Sequence, residues 1–336
     1  MTADSPSAPD AGRRRALRAA GLLALAPLPG RAVAAGPLAG GRPVVLVVSY
    51  PVGGGADLMA RLVAPRLAEA LGQPVVVENR PGASGQIAAQ QVARAAPDGT
   101  QLLFDASSFA VNPALFPKLP YDTDAAFTPL GVVALFPNVM VCTPGLEAKT
   151  VADVVRMARA APGKLAYASS GNGSAQHLAG ALFEQRAGVE LLHVPYRGGG
   201  PALNDVMGGQ VPLFFANVAS SLGHIRSGRL RPLGVTAPLR TRALPEVPSI
   251  AEAGVRGVEV HEWNPVLAPA GVPPATRATL VAALRRALAD PEVLGRIRTL
   301  SGEVFDNSSE AAVAGFLKAQ QAQWGRLVRE RGITAA

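Results

Sequence analysis

The chain has 336 residues, of which 49% are hydrophobic and only 5% aromatic, a length and composition that suit two domains or lobes with small aliphatic cores. Its formal charge is +8, but Arg13, Arg14, Arg15, Arg18 and Arg31, with Asp4 and Asp10, all fall in the first 35 residues, and without them the charge is +5. The remaining arginines are scattered and not interleaved with aromatics, which excludes a nucleic-acid groove and leaves a mild field that favours anions.

Residues 1–35 read as an export signal. The basic cluster Arg13-Arg14-Arg15 precedes an apolar run from Ala19 to Leu28 and the small residues Ala32-Val33-Ala34, the order that signal peptidase requires, with cleavage expected after Ala34 or Ala35. The run is shorter than the roughly 20 residues that span a bilayer, so it is not a permanent anchor. The paired arginines suggest the twin-arginine route, but Ala16-Leu17-Arg18 matches it loosely, and the general secretory route stays open. Either route places the mature chain in the periplasm. Cys142 is the single cysteine, so no intrachain disulfide can form, and beside Val139-Met140-Val141 it reads as a small buried hydrophobe.

The rest of the chain repeats one unit: an apolar strand, a Gly-rich or Ser-rich break and an amphipathic helix. Pro43 to Ser49 is a β-branched run of the kind buried on both faces of a parallel sheet. It breaks at Tyr50-Pro51-Val52-Gly53-Gly54-Gly55, and a helix carrying Leu58, Leu62, Leu67 and Leu71 closes at Gly72. The unit recurs as Val75 to Glu78, the break Pro81 to Gly85 and a helix from Gln86 to Ala95. Thr150-x-x-Asp153 is a capping box ahead of a helix with Val151, Val154, Val155 and Ala158 on one face. A third unit runs from Leu165 to Ala168, through Ser169 to Ser174, into a helix bearing His177. The fourth runs from Leu191 to Tyr196, through Arg197-Gly198-Gly199-Gly200, into a helix that reaches Met207. Ser249-x-x-Glu252 is a second capping box, the proline-rich segments 244–248 and 269–274 mark exposed turns, and a long helix from Ser309 to Arg331 ends the chain.

Alternating strands and helices form parallel α/β sheets, whose ligands lie beyond the carboxyl ends of the strands, against helix N-termini. Four such breaks facing one cleft would frame an anion site, with Gly letting the anion reach backbone N–H groups. The signatures of catalysis are missing. The chain has no H-E-x-x-H and no G-x-S-x-G motif, and His177, His193, His224 and His261 are too far apart in sequence to anchor a metal. Neither a metal nor a cofactor is expected, and the chain does not read as an enzyme. The strongest enzymatic rival is dinucleotide binding by Gly53-Gly54-Gly55 with Glu78, but Leu58 stands where the third glycine of that fingerprint belongs.

In sequence order, Tyr50-Pro51-Val52-Gly53-Gly54-Gly55-Ala56-Asp57, Val77-Glu78-Asn79-Arg80-Pro81-Gly82-Ala83-Ser84-Gly85, Ala96-Pro97-Asp98-Gly99-Thr100, Asn112-Pro113-Ala114-Leu115, Leu119-Pro120-Tyr121-Asp122, His193-Val194-Pro195-Tyr196-Arg197-Gly198 and Ala268-Pro269-Ala270-Gly271 resemble the Bug-type receptors of tripartite tricarboxylate transporters. The resemblance implies a bilobal type II periplasmic binding fold: two doubly wound α/β sheets joined by a two-strand hinge, crossing near Val141–Thr143 and His261–Asn264. Lobe one would be 36–141 plus 263–336, and lobe two 142–262. It implies a monomer that captures a small carboxylate and passes it to transporter subunits, or signals to a sensor kinase. The ligand would meet Val52, Gly53, Gly54, Gly55, Ser84, Gly85, Ser107 and Ser108 on one side, and Asn172, Gly173, Ser174, His177, Tyr196, Arg197, Gly198 and Asn217 on the other. Asp57 would balance a helix N-terminus rather than touch an anion. Ala216 stands where family members often carry an Asp, which implies a plain carboxylate or aromatic acid rather than an amino acid.

Intact-mass analysis of the exported protein is expected to give an N-terminus at Ala35 or Gly36. Recovery of the full-length chain alone would defeat the reading of residues 1–35 as a cleaved signal.

Overall fold

Each repeated unit forms the strand, break and helix that its sequence predicts, in a computed structural model that describes residues 38–335 together with Met1 and Thr2. The expected export signal otherwise lies outside the described residues. The first run forms β1 (Val44–Val48). Its helix α1 (Gly55–Leu71) stops at Gly72, where φ of +67° turns the N–H back onto the Ala68 carbonyl. β2 (Val75–Asn79) and α2 (Gln86–Ala93) follow, the helix ending two residues earlier than expected. Then come β3 (Gln101–Phe104) and α3 (Ser108–Leu115).

The long strand β4 (Phe127–Cys142) leads to α4 (Val151–Ala160), which opens on the predicted capping box of Thr150 and Asp153. The remaining units are β5 (Ala166–Ser169) with α5 (Ala175–Ala187), β6 (Leu192–Pro195) with α6 (Gly199–Met207), and β7 (Leu213–Asn217) with α7 (Val218–Arg226) and β8 (Arg231–Val235). Ser249 and Glu252 bond reciprocally, as expected, but close a single turn rather than a helix, because Gly254 leaves the helical region at φ +97°. The proline-rich turn at 244–248 is not wholly exposed either, since Leu244 and Val247 anchor it in the core. The chain ends with β9 (His261–Pro269), α8 (Pro274–Leu288), α9 (Pro291–Thr299), β10 (Glu303–Val304) and α10 (Glu310–Arg331).

The strands run β2-β1-β3-β9-β4-β7-β5-β6, with β8 and β10 also paired to β4. β1 pairs in parallel with β2 and β3, and β5 in parallel with β6 and β7, so two parallel clusters flank the antiparallel β9 and β4. β4 changes partner along its length: Phe127 to Pro137 lie against β9, and Asn138 to Cys142 against β7 and β8. The change falls at Pro137, a few residues before the expected Val141. Proline supplies no N–H for a ladder, which makes it a natural boundary.

Asn138 ties the junction together. Its N–H donates to Thr236 Oγ1 at 2.9 Å, its carbonyl accepts the Thr236 N–H at 2.8 Å, and its Nδ2 donates to the Val260 carbonyl at 3.3 Å. Aliphatic side chains fill the layers between sheet and helices, and Cys142 is among them, fully buried.

Tyr167 of β5 is 1% exposed and meets the Phe215 and His193 rings at centroid distances of 5.9 and 5.1 Å. A Cβ on Gly180 of α5 would lie 2.2 Å from its ring. Gly180→Ala gains about 1 kcal/mol of helix propensity, but crowding a packed core costs about 1–3 kcal/mol, and the ring has little room to move. Urea unfolding is expected to show net destabilisation, and a more stable variant would show that the layer yields.

Candidate functional site

Strands of a parallel cluster end on one side, so the helices that follow them begin there. Five helix starts line one cavity: Gly54 and Gly55 at α1, Ser107 at α3, Ser174 and Ala175 at α5, Gly199 at α6 and Asn217 at α7. Tyr50, Ala56, Ala106, Ser170, Gln176, Phe214, Ser220 and Glu262 complete its walls, around a tight space of about 20 Å³. Among the described residues, no Lys, Arg or His lines it. What such a lining offers an anion is helix starts, whose first N–H groups and dipole ends favour negative charge, rather than cationic side chains.

The expected ligand residues divide between this wall and its supports. Gly54, Gly55, Ser107, Ser174 and Asn217 face the cavity. Gly55 must lack a side chain, because a Cβ would lie 2.9 Å from Asn217 Nδ2. Ser107 is buried with an unpaired Oγ. Ser174 and Asn217 cap α5 and α7, accepting N–H groups from His177 and Ala219. The other positions close the edges. Ser84 Oγ donates to the Asn172 carbonyl at 2.8 Å. A Cβ on Gly198 would meet Pro51 at 2.3 Å, and one on Gly173 would meet Leu115 at 2.7 Å. Val52 is an exposed tip whose carbonyl lies over Gly200. Gly53 donates its N–H to Asp57 Oδ2 at 3.0 Å, and Asp57 also pairs with Arg61 at 2.9 Å, so this carboxylate balances the start of α1 as expected.

Several expected side chains point elsewhere. His177 is buried and stacked on His193, with ring centroids 3.8 Å apart, and its Nδ1 accepts the Gly173 N–H at 3.2 Å. It shapes the loop from inside. Burial lowers the pKa of His177 to about 3 and of His193 to about 4, so both rings are neutral, and parallel stacking does not converge them on one point as metal ligation would. Tyr196 donates to Asp205 at 2.7 Å, Arg197 is exposed, Ser108 accepts from the Tyr50 hydroxyl at 3.0 Å, and Gly85 packs against Asp105.

Glu262 and Gln176 went unrecognised in the sequence. Glu262 is 7% exposed; Gln176 Nε2 donates to its Oε2, and its Oε1 and Asn217 Nδ2 both border the Cβ position of Gly55. Burial raises its pKa, and the Gln176 and Asn217 amides oppose the rise. One signal was present in the chain: a single carboxylate inside the otherwise neutral, largely apolar run His261 to Pro269.

Behind the wall, Asp105 is fully buried. Its Oδ1 accepts from Ser49 Oγ at 2.5 Å and from the Ala106 N–H at 2.8 Å, while Oδ2 has no partner. Burial pushes its pKa up to about 7, against those two bonds.

Residues 59–333 match the family model for the tripartite tricarboxylate transporter family receptor. The chain belongs to this family. It is 36% identical over 293 residues to protein BugT of Bordetella pertussis, covering 87% of this chain and 90% of that one. Among solved structures, an R. palustris protein with adipate superposes with a TM-score of 0.84 at 36% identity, over 87% of this receptor and 98% of that chain. The periplasmic binding protein BugD superposes with a TM-score of 0.83 at 34% identity, over the same shares. The receptor thus has the α/β fold of periplasmic binding proteins and belongs to a family of solute receptors rather than enzymes.

A carboxyl whose folded pKa is raised from 3.8 to about 7 holds a proton that the unfolded chain has lost between those values. Its stabilisation is complete below the lower value and declines as pH rises through the higher one. Asp105→Asn is expected to flatten this decline. In urea unfolding the variant should gain on the wild type by on the order of a few kcal/mol between about pH 4 and pH 8, whereas parallel curves would mean that Asp105 does not titrate there.

Proposed function

We propose that the receptor binds a small carboxylate in this cavity, closes over it, and presents the closed form to the membrane subunits of a tripartite tricarboxylate-type transporter from the periplasm. The observation that carries the proposal is the convergence of five helix N-termini on one cavity without a cationic side chain, an arrangement suited to an anion that must later be released. Adipate bound to a relative of the same fold supports the ligand class. Gly54, Gly55, Ser107 and Ser174 are the groups assigned to the ligand.

In this proposal residues 38–137 with 261–335 form one lobe and 138–260 the other, and the hinge lies where β4 changes partners. Contacts between the segments around Pro51, Ser84 and Val111 and those around Gly198, Asn172 and Gly173 support closure. Ligand drives closure only by its preference for the closed form, which completes its hydrogen bonds.

Gly200 lies at the edge of the cavity, inside α6, with its Cβ position 3.3 Å from the Val52 carbonyl. Leucine there suits the helix but obstructs closure. A titration with adipate, succinate and benzoate should find a ligand that reduces the wild-type radius of gyration in X-ray scattering. Gly200→Leu is expected to bind that ligand at least about tenfold more weakly, or about 1.4 kcal/mol, and to stay extended. A variant that compacts like the wild type would overturn the closure model.

A further inference from the structure

We infer that Glu262 selects a carboxylate bearing a hydrogen-bond donor, a hydroxyl or an ammonium, over the plain carboxylate of the same skeleton. The inference rests on the carboxylate-receptor reading and concerns the class of ligand within it.

The argument follows the amide orientations. Asn138 Nδ2 donates to the Val260 carbonyl at 3.3 Å, so its Oδ1 faces Gln176 as an acceptor. Gln176 must then offer Nε2, which reaches Asn138 Oδ1 at 3.2 Å and continues to Glu262 Oε2. Asn217 is oriented in the same way: its Oδ1 accepts the Ala219 N–H at 2.8 Å, and its Nδ2 borders the Gly55 Cβ position beside Glu262 Oε1. Both neighbouring amides therefore offer donors on the Glu262 side, and Glu262 meets Gln176 as an acceptor. A carboxylate has about four lone-pair positions, so Glu262, which lines the cavity, keeps acceptor capacity for a ligand.

Among the described residues, no cationic side chain lines that cavity. Glu262 Oε1 lies 3.2 Å from the Gly55 Cβ position, so its carboxylate occupies one end of the cavity. A second carboxylate placed there would meet a like charge at low dielectric and be repelled. A hydroxyl or ammonium would instead complete the acceptor. The helix starts at Gly54, Ser107 and Ser174, which line the cavity, are left for the ligand's own carboxylate.

Calorimetry on the mature chain tests this with matched probes: succinate against malate and aspartate, adipate against 2-aminoadipate, and benzoate against 4-hydroxybenzoate. In the pair that fits the cavity, the wild type is expected to bind the donor-bearing member at least about tenfold more tightly, because a site built to hydrogen-bond a group rejects the analogue without it. Glu262→Gln is expected to reduce that ratio below about threefold, mainly by binding the plain member better. Equal wild-type affinities within every binding pair, or an unchanged ratio in the variant, would overturn the role of Glu262. The wild-type ratio stands even if the variant fails to fold. If no member of any pair binds, the carboxylate reading itself falls, and this inference with it.

Discussion

Every α-helix begins with backbone N–H groups that have no partner within the helix, and this chain turns five such beginnings into one buried space. Buried N–H groups left unpaired are costly, so the cavity wall reads as a set of solutions to that constraint. Ser174 and Asn217 cap two helices with their own side chains. Asp57 folds back to take the Gly53 N–H. Glu262 brings a carboxylate to the starts of α1 and α7. What these internal groups leave unsatisfied is available to a ligand, and the glycines at Gly54 and Gly55 keep the backbone accessible to it.

On the proposed reading, holding an anion mainly by helix starts suits a receptor. An arginine fork would form strong, bidentate bonds to a carboxylate, and a delivery protein must break whatever bonds it forms. Backbone N–H groups on fixed helices are preorganised, so they lose little entropy on binding, and opening the cleft exposes the ligand to water again. On that reading, affinity would be set largely by closure, and selectivity by the side chains that line the cavity.

The supports behind the wall are polar, buried and connected. Ser49 and Ala106 hold Asp105 below the start of α3, Tyr50 reaches Ser108, and His177 fastens the Gly173 loop. The relay from Val260 through Asn138 and Gln176 to Glu262 links the strand junction to the cavity. Such networks fix geometry when every member is satisfied, and here they couple the orientation of the cavity's one carboxylate to the place where β4 changes partners.

The elements themselves were legible in the sequence because local chemistry sets them: β-branched runs made β1 and β2, glycine ended α1 at Gly72, and Thr150 with Asp153 opened α4. Their order implied the α/β class, and the series of short motifs implied the family. Tertiary structure alone decided which side chain of each break meets the cavity. Ser84 and Asn172 are 88 residues apart, and Gln176 and Glu262 are 86 apart, so no local preference brings them together. His177 and His193 have the composition of ligands, yet packing stacked them against each other and out of the cavity. Glu262 lines the cavity beside Gln176, a pairing that no local pattern announces, because the partner of a buried charge is set by what folding brings next to it.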